Sequence, residues 1–130
     1  MQGGKRGTSR RAWVKVYITV WLHGSIRWQL TAEERSIWCD LICLAGECGK
    51  AGKIVDNDGK PYPPGYLAGM LFVPEELLEK TICKCVQDNR LTRDDGIISI
   101  TNWDTYQSEY ERQKRYRKRQ QMPGNIKVRE

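Results

Sequence analysis

An α+β domain ending in a small antiparallel sheet is the fold class this sequence predicts, and three observations carry it. Asp95-Gly96 has the turn chemistry of a β-hairpin, set between Arg90-Leu91-Thr92-Arg93 and the returning run Ile97-Ile98-Ser99-Ile100-Thr101. Ahead of it, residues 64–71 and 74–87 are apolar at helical spacing and parted by a short break at Phe72-Val73. Behind it, Asn102-Trp103-Asp104 opens a further helix, with Trp103, Tyr106 and Tyr110 on one side at spacings of three and four. Two short helices, a tight turn between them and a hairpin after them predict a winged helix-turn-helix. An N-terminal strand, a two-stranded wing and a basic C-terminal helix complete the expected architecture.

The elements follow in order. Residues 1–11, rich in glycine and basic residues with no apolar partner, are expected to form a disordered arm, and order begins near Trp13. Val14, Val16, Ile18, Val20 and Leu22 alternate with Trp13, Lys15, Tyr17, Thr19 and Trp21, a period of two that predicts a strand beside the hairpin. His23-Gly24-Ser25 breaks it. Thr31 then stands as N-cap with Glu34 at the capping-box position, and Ile37, Trp38, Leu41, Ile42 and Ala45 give the helix its apolar face until Gly46–Gly49 stops it. Residues 50–64 read as a polar loop interrupted only by Ile54-Val55. In the last helix before the hairpin, Pro74 is expected at N1, with Glu75 and Glu76 in the first turn and Leu77, Leu78, Ile82, Cys85 and Val86 facing inward. The winged-helix domain is bounded at residues 12–111, and residues 112–130 form a basic arm.

Charge is concentrated at the two ends. The net charge is +6, yet residues 1–15 carry about +5 and residues 112–130 about +7, which leaves residues 16–111 near −6. An acidic body with cationic ends fits capture of a polyanion. No run of about eighteen apolar residues exists, so a membrane-spanning helix is excluded on length, and the polar start has no apolar stretch for a secretory signal. The five cysteines, an odd number, fit a reducing compartment better than a disulfide framework, so a cytoplasmic protein is expected. Membrane-surface binding is disfavoured because the basic arm has few bulky apolar residues opposite its charges.

Catalytic and metal chemistry lack their residue patterns. Cys39, Cys43, Cys48, Cys83 and Cys85 form no paired C-x-x-C knuckle, and small buried thiols are the expected reading. His23 is the single histidine, no nucleophile elbow surrounds Ser25 or Cys48, and no Gly-rich loop precedes a Lys-Ser or Lys-Thr. No enzyme, metal or cofactor is expected. The five tryptophans are expected mainly in the core, with Trp28 as the exposed exception.

The candidate DNA contacts fall in three groups. On the presumed recognition helix, Lys80, Lys84 and Gln87 are the side able to approach phosphates, since Glu75, Glu76 and Glu79 oppose binding. Arg90 and Arg93 are the cations of the wing, and Arg112, Lys114, Arg115, Arg117, Lys118 and Arg119 form the arm. Such contacts hold the backbone of double-stranded DNA and carry little sequence information.

The segment from Trp13-Val14-Lys15 through Leu44-Ala45-Gly46-Glu47 to Gly96-Ile97-Ile98-Ser99-Ile100-Thr101-Asn102-Trp103-Asp104-Thr105-Tyr106-Gln107 resembles the N-terminal domain of phage replisome organiser proteins. It is also similar to the winged-helix domains of DnaD-like primosomal proteins. The resemblance covers roughly residues 13–117, and its most distinctive piece is the wing strand running into Asn-Trp-Asp-x-Tyr-Gln. It implies a role in DNA replication initiation, through origin-DNA binding or self-assembly, with a helicase or its loader as a further partner. A protein-interaction module that recruits replication proteins and a winged-helix transcriptional regulator are the alternatives.

Overall fold

The computed structural model describes residues 10–107. It orders them as α1 (Ile18–His23), α2 (Ile26–Gln29), α3 (Ala32–Cys48), β1 (Lys53–Ile54), α4 (Pro64–Leu71), α5 (Glu75–Gln87), β2 (Leu91–Asp94), β3 (Ile97–Ile100) and α6 (Trp103–Gln107). The three strands form one antiparallel sheet in the order β1-β3-β2. Helices and a small sheet share one core, the α+β class the sequence predicts.

Helix α3 starts and stops where its local chemistry dictates. Thr31 Oγ1 accepts from the Glu34 N–H at 3.2 Å and Glu34 Oε1 accepts from the Thr31 N–H at 2.8 Å, so a complete capping box satisfies two amides that the first turn leaves open. Gly49, left-handed at φ 66°, ends the helix. The hairpin is equally local in origin. Asp95 and Gly96 both have positive φ, 52° and 82°, the pair a two-residue type I′ turn requires, and Leu91 opposite Ile100 sets the register.

The core lies where α3, α5 and the sheet meet. Ile37, Leu41, Leu44 and Ala45 of α3, Leu78, Ile82 and Cys85 of α5, Leu67 of α4 and Leu91 and Ile98 of the hairpin are all buried together. Each fully buried leucine or isoleucine contributes about 1.5–3 kcal/mol. Trp103 closes the base of this core, the root of its side chain tight against Gly52, where an added Cβ would lie 2.6 Å from the Trp103 Cβ.

The structure corrects several expectations. The period-two run from Val14 to Leu22 is no strand: its second half is α1, no residue of which is buried, and its first half is extended chain outside the sheet. The edge of β3 that this strand would have taken is occupied by β1, which pairs Lys53 with Ser99 and Ile54 with Ile98. That strand arises inside the stretch read as a polar loop, because Ile54 and Val55 bury their side chains there. Pro74 is the N-cap of α5 rather than its first residue, with an extended ψ of 139°. Of the cysteines only Cys85 is fully buried, its thiol pushed up to about 11 by burial, while Cys43 and Cys83 are exposed. Opposite exposure of Cys83 and Cys85 places them on different sides of α5. Trp28, at 73% exposure, is on the surface as anticipated, but it is not the exception expected, since Trp13 is exposed as well.

Candidate nucleic-acid interface

Helices α4 and α5 are joined by Phe72-Val73-Pro74, and α5 leads through Asp88-Asn89-Arg90 into the hairpin. The side of α5 away from Leu78, Ile82 and Cys85 is graded in charge. Glu75 and Glu76 are exposed at its start, Lys80 is exposed in its middle, and Gln87 is exposed at its end. The basic half of this face therefore lies beside the hairpin and the acidic half beside the turn.

Folding brings carboxylates to three of the predicted phosphate contacts. Lys84 Nζ donates to Glu34 Oε1 at 2.8 Å, and Glu34 is only 1% exposed. Burial pushes the Glu34 carboxyl up, but the Lys84 hydrogen bond, the Thr31 amide and the charges of Lys84 and Lys80 outweigh it and hold the group below the usual carboxylate range. The lysine ties α5 to the first turn of α3. Arg93 grips Glu79 with two parallel hydrogen bonds of 2.7 and 3.0 Å, which fasten β2 to α5 and hold the Glu79 carboxyl low.

Arg90 turns inward rather than toward a wing face. Its guanidinium donates to Asp88 at 3.1 Å, to Ser25 Oγ at 2.8 Å and to Gln29 Oε1 at 3.0 Å, so it anchors the start of the hairpin to α2. Lys80 makes no ion pair among the described residues, and Gln87 is exposed beyond it. Lys84 and Arg93 keep about a third of their side chains exposed. Lys80, Lys84 and Gln87 thus share one face of α5, with Lys84 turned to α3, whereas Arg93 meets α5 on another side at Glu79 and Arg90 is withdrawn. Arg112, Lys114, Arg115, Arg117, Lys118 and Arg119 lie outside the described residues, as does Tyr110.

On α6 the most distinctive sequence motif serves as a clamp. The buried Gln107 side chain accepts from the Lys15 N–H at 2.7 Å and donates to the Lys15 carbonyl at 3.1 Å, as a strand neighbour would. The Gln107 backbone carbonyl accepts from Arg11 at 2.9 Å and from Lys15 Nζ at 3.1 Å, and the Arg11 guanidinium lies over the Trp103 ring at 5.8 Å. Trp103 and Gln107 therefore fix the N-terminal segment to α6.

Three features of the surface escaped the sequence reading. Glu34 was legible as a cap but not as the partner of Lys84, fifty positions away. Ser25 and Gln29 carry no local signal for their grip on Arg90. Phe72, read as part of a turn, is 94% exposed in a left-handed conformation. A non-glycine residue next to a helix-ending break was the available hint.

Among the described residues no group of three or more His, Cys, Asp or Glu is placed to hold a metal ion, and no helix is long and apolar enough to cross a membrane. Neither a curated protein nor a solved structure matches the chain. A family model does, over residues 13–127, nearly the whole of the described domain and the basic stretch after it: the chain belongs to the N-terminal phage replisome organiser family.

Proposed function

We propose that this chain is a non-catalytic winged-helix protein that binds double-stranded DNA during phage replication initiation. The carrying observation is the connectivity: α3, β1, α4 and α5 precede the hairpin, and β1 adds to the β3 edge in the order β1-β3-β2. That order of helix, strand, helix, helix and hairpin supports a reading in which the second helix of a helix-turn-helix faces a groove, with the hairpin beside it. Membership of the replisome organiser family supports the process.

The electrostatics divide the labour. On the folded body, Lys84 and Arg93 are already compensated by Glu34 and Glu79, so each adds little net attraction for phosphate, and Lys80 with Gln87 offers a small contact. Most of the affinity then belongs to Arg112, Lys114, Arg115, Arg117, Lys118 and Arg119, with α5 setting orientation. The cytoplasm, where phage DNA replicates, is the compartment this reading requires.

A fluorescent random duplex titrated with the intact chain, and with a variant carrying glutamine at those six positions, tests the reading at low and at physiological salt. Salt-sensitive binding that the variant loses supports it. No binding by the intact chain at low salt overturns it.

A second reading, assembly of the domain with itself or with replication proteins such as a helicase or its loader, is favoured by the N-terminal segment. Trp13, Val16, Ile18, Val20, Leu22 and Trp28 are all large, apolar and 47% exposed or more. Light scattering of the intact chain and of Ile18→Lys separates this reading from the first: a multimer that the substitution dissolves, with duplex affinity retained, assigns the segment to assembly.

A further inference from the structure

Phe72 occupies a position that suits neither its backbone nor its ring. The end of α4 is a Schellman closure, in which the Val73 N–H bonds the Ala68 carbonyl at 3.1 Å and the Phe72 N–H bonds the Gly69 carbonyl at 3.3 Å. Such a closure needs a left-handed residue, here Phe72 at φ 58°, and glycine is its ordinary occupant. Leu71 and Val73 pack on the core, so the same turn that brings them inward throws the Phe72 ring outward to 94% exposure. Folding gains nothing from this ring.

The chain that follows it is negative, and the first turn of α4 carries a second exposed ring. Tyr66 is 60% exposed and stacks on Tyr62 with ring centres 5.5 Å apart. Glu75 and Glu76 follow Phe72 by three and four residues, both exposed and neither in an ion pair with a described residue. The Glu75 carboxylate reaches back over the first turn of α4, within 3.5 Å of where a Gly65 Cβ would lie, beside Tyr66. The α4–α5 turn is therefore an aromatic knob with an uncompensated acidic collar. Two carboxylates there oppose phosphate, and the knob stands at the other end of α5 from Lys84 and Gln87, about 18 Å along the helix.

We propose that this turn docks a basic segment of a partner protein, with Phe72 received by its apolar side chains and Glu75 and Glu76 paired with its lysines or arginines. Charge complementarity selects the partner: the collar attracts a cationic peptide and repels nucleic acid. The site is independent of the DNA contacts assigned to the arm.

The test uses the intact chain, a fluorescein-labelled sixteen-residue amphipathic peptide of lysine and leucine, and a fluorescent random duplex, all at physiological salt. Phe72→Gly is the informative variant, because glycine suits the left-handed turn and leaves the fold in place. Saturable peptide binding weakened about tenfold by Phe72→Gly and by the double change Glu75→Lys, Glu76→Lys, with duplex affinity unchanged in Phe72→Gly, is the expected result. No peptide binding, or binding indifferent to Phe72→Gly, overturns the proposal. Loss of duplex affinity in Phe72→Gly with peptide binding unchanged also overturns it, and gives the ring to DNA.

Discussion

A methyl group on Gly52 would meet the Trp103 Cβ at 2.6 Å, and Gly52 also holds φ at 91°, where L side chains are strained. Both effects act against Gly52→Ala, and together they should lower stability by about 2–4 kcal/mol. A fall in the urea midpoint with an unchanged slope would show it. The opposite sign is expected at Phe72. Replacing it by glycine relieves a left-handed cost of about 1–2 kcal/mol against an entropy loss of about 0.5–1 kcal/mol. Phe72→Gly should therefore leave stability unchanged or raise it slightly, an outcome thermal unfolding can read. The contrast explains what single residues disclosed in advance. Trp103 was legible as buried because a large ring at helical spacing after a hairpin has few other places to go. The strain at Phe72 was not, because an apolar residue beside a helix end predicts burial, and only the closure geometry reverses it.

Among the elements, α3 and the hairpin were readable because their ends are written in adjacent residues: Thr31 with Glu34, and Asp95 with Gly96. The N-terminal strand and β1 were not. Sheet pairing is decided between distant segments, and the two residues of β1 took the edge that a longer alternating run would have filled. The same distance hid the charge pairs, since Lys84 meets Glu34 only once α5 crosses α3. That crossing has a pH signature. The folded Glu34 carboxyl lies below its ordinary value, so the unfolded chain takes up its proton first as pH falls. The stabilisation is fully present above the unfolded value of about 4.3 and is lost as pH falls through the lower folded value. Glu34→Gln should lower stability at pH 7 by about 1–3 kcal/mol and flatten this acid limb. Urea unfolding of both proteins at neutral and acidic pH tests it, and parallel acid limbs would remove Glu34 from the account. Thr31→Ala, which takes away one half of the same capping box, should cost about 1 kcal/mol at either pH.

At the scale of the whole molecule the charge distribution makes a quantitative demand. Residues 16–111 sum to about −6 while residues 112–130 carry about +7, so the body repels a phosphate backbone that the end attracts. Pairing leaves that sum unchanged but occupies two of the body's cations, Lys84 and Arg93, with carboxylates of the fold. If the six cations from Arg112 to Arg119 hold DNA, each displaces a condensed counterion, and the logarithm of affinity should fall against the logarithm of salt with a slope of about −5. A fourfold rise in salt then weakens binding about a thousandfold. With glutamine at all six positions the slope should collapse toward that of Lys80 and its neighbours, about −1. Equal slopes for the two proteins would transfer the phosphate contacts to the folded body. The acidic majority of that body gives the physical reason to expect the larger difference.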